Sequence, residues 1–147
     1  MREIKFRAYN KNLNQFIYGS SEYTRTRIEY HEYTLSDFWQ MIETGAFKYA
    51  GQYTGLKDKN GKEIYEGDIV AYSSPMFGNV HKGAVSRYFN GRYKVTYRRG
   101  DHPMYIPDER TNEKTTKDLD DWTHSDGGNF AVVIGNLYEN PELLEDR

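Results

Sequence analysis

Apolar and polar residues alternate with a period of two in several short segments of this chain, and segments of that kind, bounded by Gly, Asn and Pro, can bury one side only as strands. Ile4-Lys5-Phe6-Arg7-Ala8-Tyr9 alternates in this way, and Asn10-Lys11-Asn12 supplies the turn into Gln15-Phe16-Ile17-Tyr18, so a hairpin is expected. From Tyr23 to Tyr33 the same period sends Thr24, Thr26, Ile28 and Tyr30 to one face and Arg25, Arg27, Glu29 and His31 to the other, which predicts a further strand with one wet side. Gly67–Tyr72, Gly83–Tyr88, Arg92–Tyr97 and Phe130–Ile134 read as four more short strands, enough for a small barrel.

The period changes at Leu35. Leu35, Phe38, Trp39 and Ile42 fall at i, i+3, i+4 and i+7, which predicts a helix to about Thr44 burying that stripe in the core. Thr34 is the expected N-cap, Asp37 lies in the first turn, and Gly45 is the stop. Pro107 to Trp122 carries Asp108, Glu109, Asp118, Asp120 and Asp121 among few apolar residues, which predicts a mobile loop with at most a turn or two of helix. Pro141-Glu142-Leu143-Leu144-Glu145 suits one last helical turn with Pro141 at its first position.

The stretch from Tyr49 to Val70 contains a tight hairpin and then a glycine-pivoted entry at Gly67 into a new strand. Charge decides the register of the hairpin. A two-residue Asn60-Gly61 turn would set Lys59 opposite Lys62 and Asp58 opposite Glu63, two like-charge pairs. A three-residue Lys59-Asn60-Gly61 loop opposes Asp58 to Lys62 and Lys57 to Glu63 instead, and requires Gly61 in the left-handed region. Asp58, Asn60, Gly61, Lys62 and Gly67 are therefore expected to be structural.

The run from Gln52 to Val70 closely resembles the hallmark stretch of the YopX-like family of phage and prophage proteins. Ile4-Lys5-Phe6-Arg7-Ala8-Tyr9 and the block from Val133 to Leu144 extend the resemblance in the family's order, although Tyr9 stands where the family more usually has tryptophan and the match is weak from about Arg99 to Asn129. The resemblance implies a mainly β (α+β) fold: an N-terminal α/β portion over residues 1–50, with strands and one short helix, and a C-terminal SH3-type small β-barrel over 51–147 with a long loop near 99–129. It implies a phage or prophage origin and brings no established activity and no catalytic residues.

The residues themselves carry no familiar chemistry. With no cysteine, thiolate nucleophiles, disulfides and Cys-type metal sites are excluded, and a reducing compartment, the cytoplasm of the host cell, is expected. No signal-peptide run and no apolar stretch of membrane-spanning length is present, so no membrane partner is expected. Asp58-Lys59-Asn60-Gly61 superficially resembles a calcium loop, but its glycine is fourth rather than sixth. Asp101, His102, Asp118, Asp120, Asp121 and His124 lack any spacing that places metal ligands on one element, and Glu63, Glu66 and Asp68 read as polar hairpin residues rather than an acid/base pair. No cofactor, metal or catalytic residue is expected.

One charge pattern stands out in a chain of net charge −2: Lys82, Arg87, Arg92, Lys94, Arg98 and Arg99 run without an intervening acid, while Asp108 to Arg147 is rich in carboxylates. Together with 14 tyrosines, this polarity leads to the expectation of a non-catalytic, homo-oligomeric adaptor or assembly module for a phage or host protein. The alternative is an accessory protein binding nucleic acid through one strand, where the two-residue period separates Tyr93, Val95 and Tyr97 from the cations Arg92, Lys94 and Arg98.

Overall fold

The computed structural model describes residues 4–24, 27–73, 80–87, 93–98, 114–118 and 131–144, with backbone alone at 72–73, 80–81, 94, 96–98 and 114–118. Among the described residues it is mainly β, with two five-stranded sheets and one α-helix, and it divides into two units, Met1–Gly55 and Leu56–Arg147.

In the first unit, β1 (Lys5–Asn10) and β2 (Gln15–Ser20) form the expected hairpin, with Phe6 opposite Gly19 and Tyr9 opposite Phe16. The next strand, β3 (Glu32–Thr34), pairs with β2 in parallel. That pairing explains why the segment from Tyr23 to Tyr33 is not the long strand its alternation suggests. A parallel neighbour requires the chain to travel back along β2 before it re-enters the sheet. The return is made through a 3₁₀ turn at Ile28–Tyr30 and a left-handed His31 (φ 59°), and is closed by Arg27 and Glu32, whose N–H groups each donate to the other's carbonyl at 2.7 and 3.1 Å. Ile28 and Tyr30 are left exposed at 69% and 57%.

Helix α1 (Leu35–Glu43) begins where expected: the Asp37 N–H donates to Thr34 Oγ1 at 3.3 Å, and Gly45 has φ 84°. Its Phe38 is fully buried with Ala8, Ile17, Tyr33 and Phe47, and Phe6, Met41 and Ile42 pack around them. The stripe is not all core, because Trp39 remains 39% exposed. The helix meets β2 at Gly19, where an added Cβ would come 2.5 Å from Phe38 Cγ. β4 (Lys48–Lys57) joins β1 with an irregularity between Arg7 and Ala8, continues across the boundary between the units, and is followed by β5 (Glu63–Tyr65), giving the sheet order β3-β2-β1-β4-β5.

In the second unit, β6 (Asp68–Ser73), β7 (Val80–Arg87), β8 (Tyr93–Arg98) and β9 (Lys114–Asp118) form an antiparallel meander, and β10 (Val132–Asn136) returns to pair with β6. Ile64, Val70, Val85, Tyr93, Val95 and Ala131 form its core, joined by Leu56 and Val133. β9 occupies part of the segment expected to be a loop. Its Thr115 and Thr116 are β-branched, and each pairs across to β8 at Tyr97 and Thr96, so tertiary pairing supplies what apolar periodicity does not. The rest of that segment lies outside the described residues. Among the described residues β9 and β10 are the two ends of the sheet, and no barrel closes. The chain ends its described part in a 3₁₀ turn at Pro141–Leu144.

Two substitutions separate steric from capping contributions. Gly19→Ala drives a methyl into Phe38 and is expected to cost about 2–3 kcal/mol, whereas Thr34→Ala removes one cap and is expected to cost about 1 kcal/mol. Urea unfolding of both variants measures the difference, and equal losses would contradict a close approach at Gly19.

Candidate functional site

The hairpin after β4 has the three-residue loop that charge favours. Gly61 takes φ 84°, its N–H donates to the Asp58 carbonyl at 2.9 Å, and the Asp58 N–H donates to the Lys62 carbonyl at 2.8 Å, so Asp58 faces Lys62. A type I turn followed by a left-handed glycine is the usual backbone solution for this loop length.

The loop aims the Asp58 carboxylate inward, where it is 2% exposed. Oδ1 accepts the N–H groups of Asn60 and Lys62 at 2.8 and 2.9 Å, and Oδ2 accepts the N–H of Val133 at 3.0 Å. Beside it the Lys59 N–H donates to the Ala131 carbonyl at 2.9 Å. Val133 opposes Val70 in the ladder between β10 and β6, so the hairpin supplies hydrogen-bond partners to β10 that β6 does not. A carboxylate and one amide thus take the place of a further strand at this edge, with the added strength of charge-assisted bonds.

Two more polar side chains work in the same way. Asp68 is buried, and its Oδ2 accepts the Tyr65 N–H at 2.8 Å across the turn that contains Gly67. The Gly67 N–H donates to Val85 and its carbonyl accepts from Leu137. Asn136 Oδ1 accepts the N–H groups of Tyr138 and Glu139, while Asn136 Nδ2 donates to Glu139 Oε1. Sequence reading misses the role of Asn136; the recurrence of Asn136 and Asn140 before Pro141 is the only local hint, and Asn140 Oδ1 in turn accepts the Asn136 N–H at 3.3 Å.

Of the other candidates, Glu63 accepts from the Tyr65 hydroxyl at 3.4 Å. Among the described residues no group of three His, Asp or Glu side chains could hold a metal; Asp101, His102, Asp120, Asp121 and His124 lie outside them. Arg92 also lies outside the described residues. Lys94 and Arg98 are placed by backbone register alone, Lys94 between Ser86 and Asp118 and Arg98 beside Lys114.

The first unit carries a feature of a different kind. Trp39 on α1 and Tyr49 on β4 stack at 5.7 Å between ring centroids with 29° between planes, and Phe6 lies 5.4 Å from Trp39 and 6.2 Å from Tyr49. Trp39 and Tyr49 are nonetheless 39% and 45% exposed. The helical spacing placed Trp39 in the core because it could not show where the sheet beneath α1 ends.

Asp58→Ala strands the half-buried N–H of Val133 and removes the acceptor for two loop amides, and is expected to cost about 3 kcal/mol. Asp58→Asn keeps the shape and loses only part of the acceptor set, and should fall about halfway. Chemical denaturation measures both, and an Ala variant as stable as the parent would show the clamp to be inert.

The model for the family described as YopX protein matches residues 5–145. No curated protein matches the chain. Among solved structures, the crystal structure of protein EF1440 from Enterococcus faecalis is similar with a TM-score of 0.51 and 22% identity, covering 99% of this chain and 100% of that one, a likeness of fold. No helix among the described residues is long and apolar enough to cross a membrane. The family match runs from the first residue of β1 to just past the C-terminal 3₁₀ turn and takes in the hairpin that carries the Asp58 clamp, and the chain therefore belongs to the YopX family.

Proposed function

We propose that the protein is a non-catalytic adaptor or assembly module of phage or prophage origin, acting in the host cytoplasm, that associates with itself and with a phage or host protein. The exposed stack of Trp39 on Tyr49 carries this reading. Large rings supply much of the binding energy at protein interfaces, because they bury wide apolar area while freezing few torsions. The polar residues of the hallmark stretch support it too: Asp58 and Asp68 spend their carboxylates on backbone N–H groups, so they serve as scaffold. The SH3-type architecture belongs to the same proposal. It is supported by the strand order, in which β10 comes back to the first strand of the meander.

The expected result is a multimer by light scattering at tens of micromolar, reduced to a monomer by the double substitution Trp39→Gln and Tyr49→Gln with an unchanged circular dichroism spectrum. A monomeric parent would remove the self-association reading.

A second reading is nucleic-acid binding through β8, where the sequence alternates Tyr93, Val95 and Tyr97 with the cations Arg92, Lys94 and Arg98. Neutralising Arg92, Lys94 and Arg98 together should weaken DNA or RNA binding regardless of base sequence and flatten its salt dependence. Unchanged affinity in the folded triple variant would rule that strand out.

A further inference from the structure

We propose that Asn60-Gly61 is a site of spontaneous covalent modification, deamidation and isomerisation of Asn60, and that the Asp58 clamp gates it. The pair lies at the tip of the hairpin, both residues exposed, with no atom within 4 Å of the position a Gly61 Cβ would take. Nothing there hinders the approach of water, and glycine offers no side chain to shield its own nitrogen.

The step needs no enzyme and no redox partner. The Gly61 nitrogen gives up its proton to hydroxide and attacks Asn60 Cγ. The N–Cγ bond forms, the Cγ–Nδ2 bond breaks, and Nδ2 leaves as ammonia after taking a proton from water. The resulting five-membered imide then adds one water at either carbonyl and opens to aspartate or isoaspartate at position 60.

The closed hairpin opposes the first of these events. The nitrogen that must be deprotonated is the one whose N–H donates to the Asp58 carbonyl at 2.9 Å. The residue that must reorient is held by its own N–H, which donates to Asp58 Oδ1 at 2.8 Å. Both restraints end on Asp58, and Asp58 is in turn held through Oδ2 by Val133. Reaction therefore requires the loop to open, and the rate is set by the fraction of time it spends open. Isoaspartate routes the backbone through its Cβ and lengthens a three-residue loop by one atom. The N–H groups of residues 60 and 62 then no longer converge on Asp58 Oδ1, and a new carboxylate stands beside the old one. Modification converts a transient opening into a permanent one and releases the Val133 N–H at the edge of β10.

The test is ageing of the full chain in mildly alkaline buffer, with peptide mapping for the amide-to-acid mass change at residue 60 and isoaspartate methyltransferase labelling of the same peptide. Asn90-Gly91, outside the described residues, reports on a separate peptide. Deamidation at Asn60 is expected to be at least about tenfold slower in the native protein than in urea, with the slowing matching the hydrogen-exchange protection of the Gly61 amide in the same buffer. Asp58→Asn should raise both rates together. The aged isoaspartate fraction should show loss of protection at the Val133 amide. Equal rates in native and urea-unfolded protein would overturn the gating. So would a deamidation rate that fails to follow Gly61 exchange, a measurement that holds in the parent chain even if the variant does not fold.

Discussion

A single carboxylate holds the second unit together at its edge. Asp58 receives N–H groups from its own loop and from Val133, 75 residues later in the chain. Each of those donors would otherwise have to face water or go unpaired, and the one on β10 is beside the buried Ala131, where water is a poor substitute. That acceptor ties the hairpin loop to β10 where β10 pairs with β6. Val133 packs with the core residues Ile64 and Val70, so the clamp also fixes where an apolar side chain enters the core.

In the first unit shape sets the packing of the helix. Its helix lies against β2 because Gly19 leaves room for Phe38, and no side chain larger than hydrogen satisfies that approach. On the other face of β1, Arg7 is 4% exposed with its guanidinium 4.6 Å from the Phe16 ring, and Lys5 lies over Tyr53 at 5.9 Å. Alternating cations and rings let a strand with three charged or polar residues in six still be half-buried, because the long stems pack while the rings face the charge.

Where local chemistry decides a structure, the sequence is enough to read it. The loop around Gly61 is legible because the competing register places like charges opposite each other, and α1 is legible because its cap, its first-turn acid and its glycine stop agree. Decisions made at a distance are not. The return path through Ile28–Tyr30 exists only because β3 pairs in parallel with β2. β9, with the sequence Lys-Thr-Thr-Lys-Asp, has no apolar alternation and becomes a strand by pairing with β8. The exposure of Trp39 and the partnership of Asp58 with Val133 are likewise facts of tertiary placement, invisible to any window of neighbouring residues.

This division bears on what the surface is for. Asp58, Asp68 and Asn136 are buried, and each accepts backbone N–H groups in a turn that it supports. Trp39 contributes to packing through its edge contact with Phe38, 5.1 Å between ring centroids, yet remains 39% exposed. The indole and phenol stack at the surface with 39% and 45% exposure, and aromatic area of this kind is what the proposed contact surface would use.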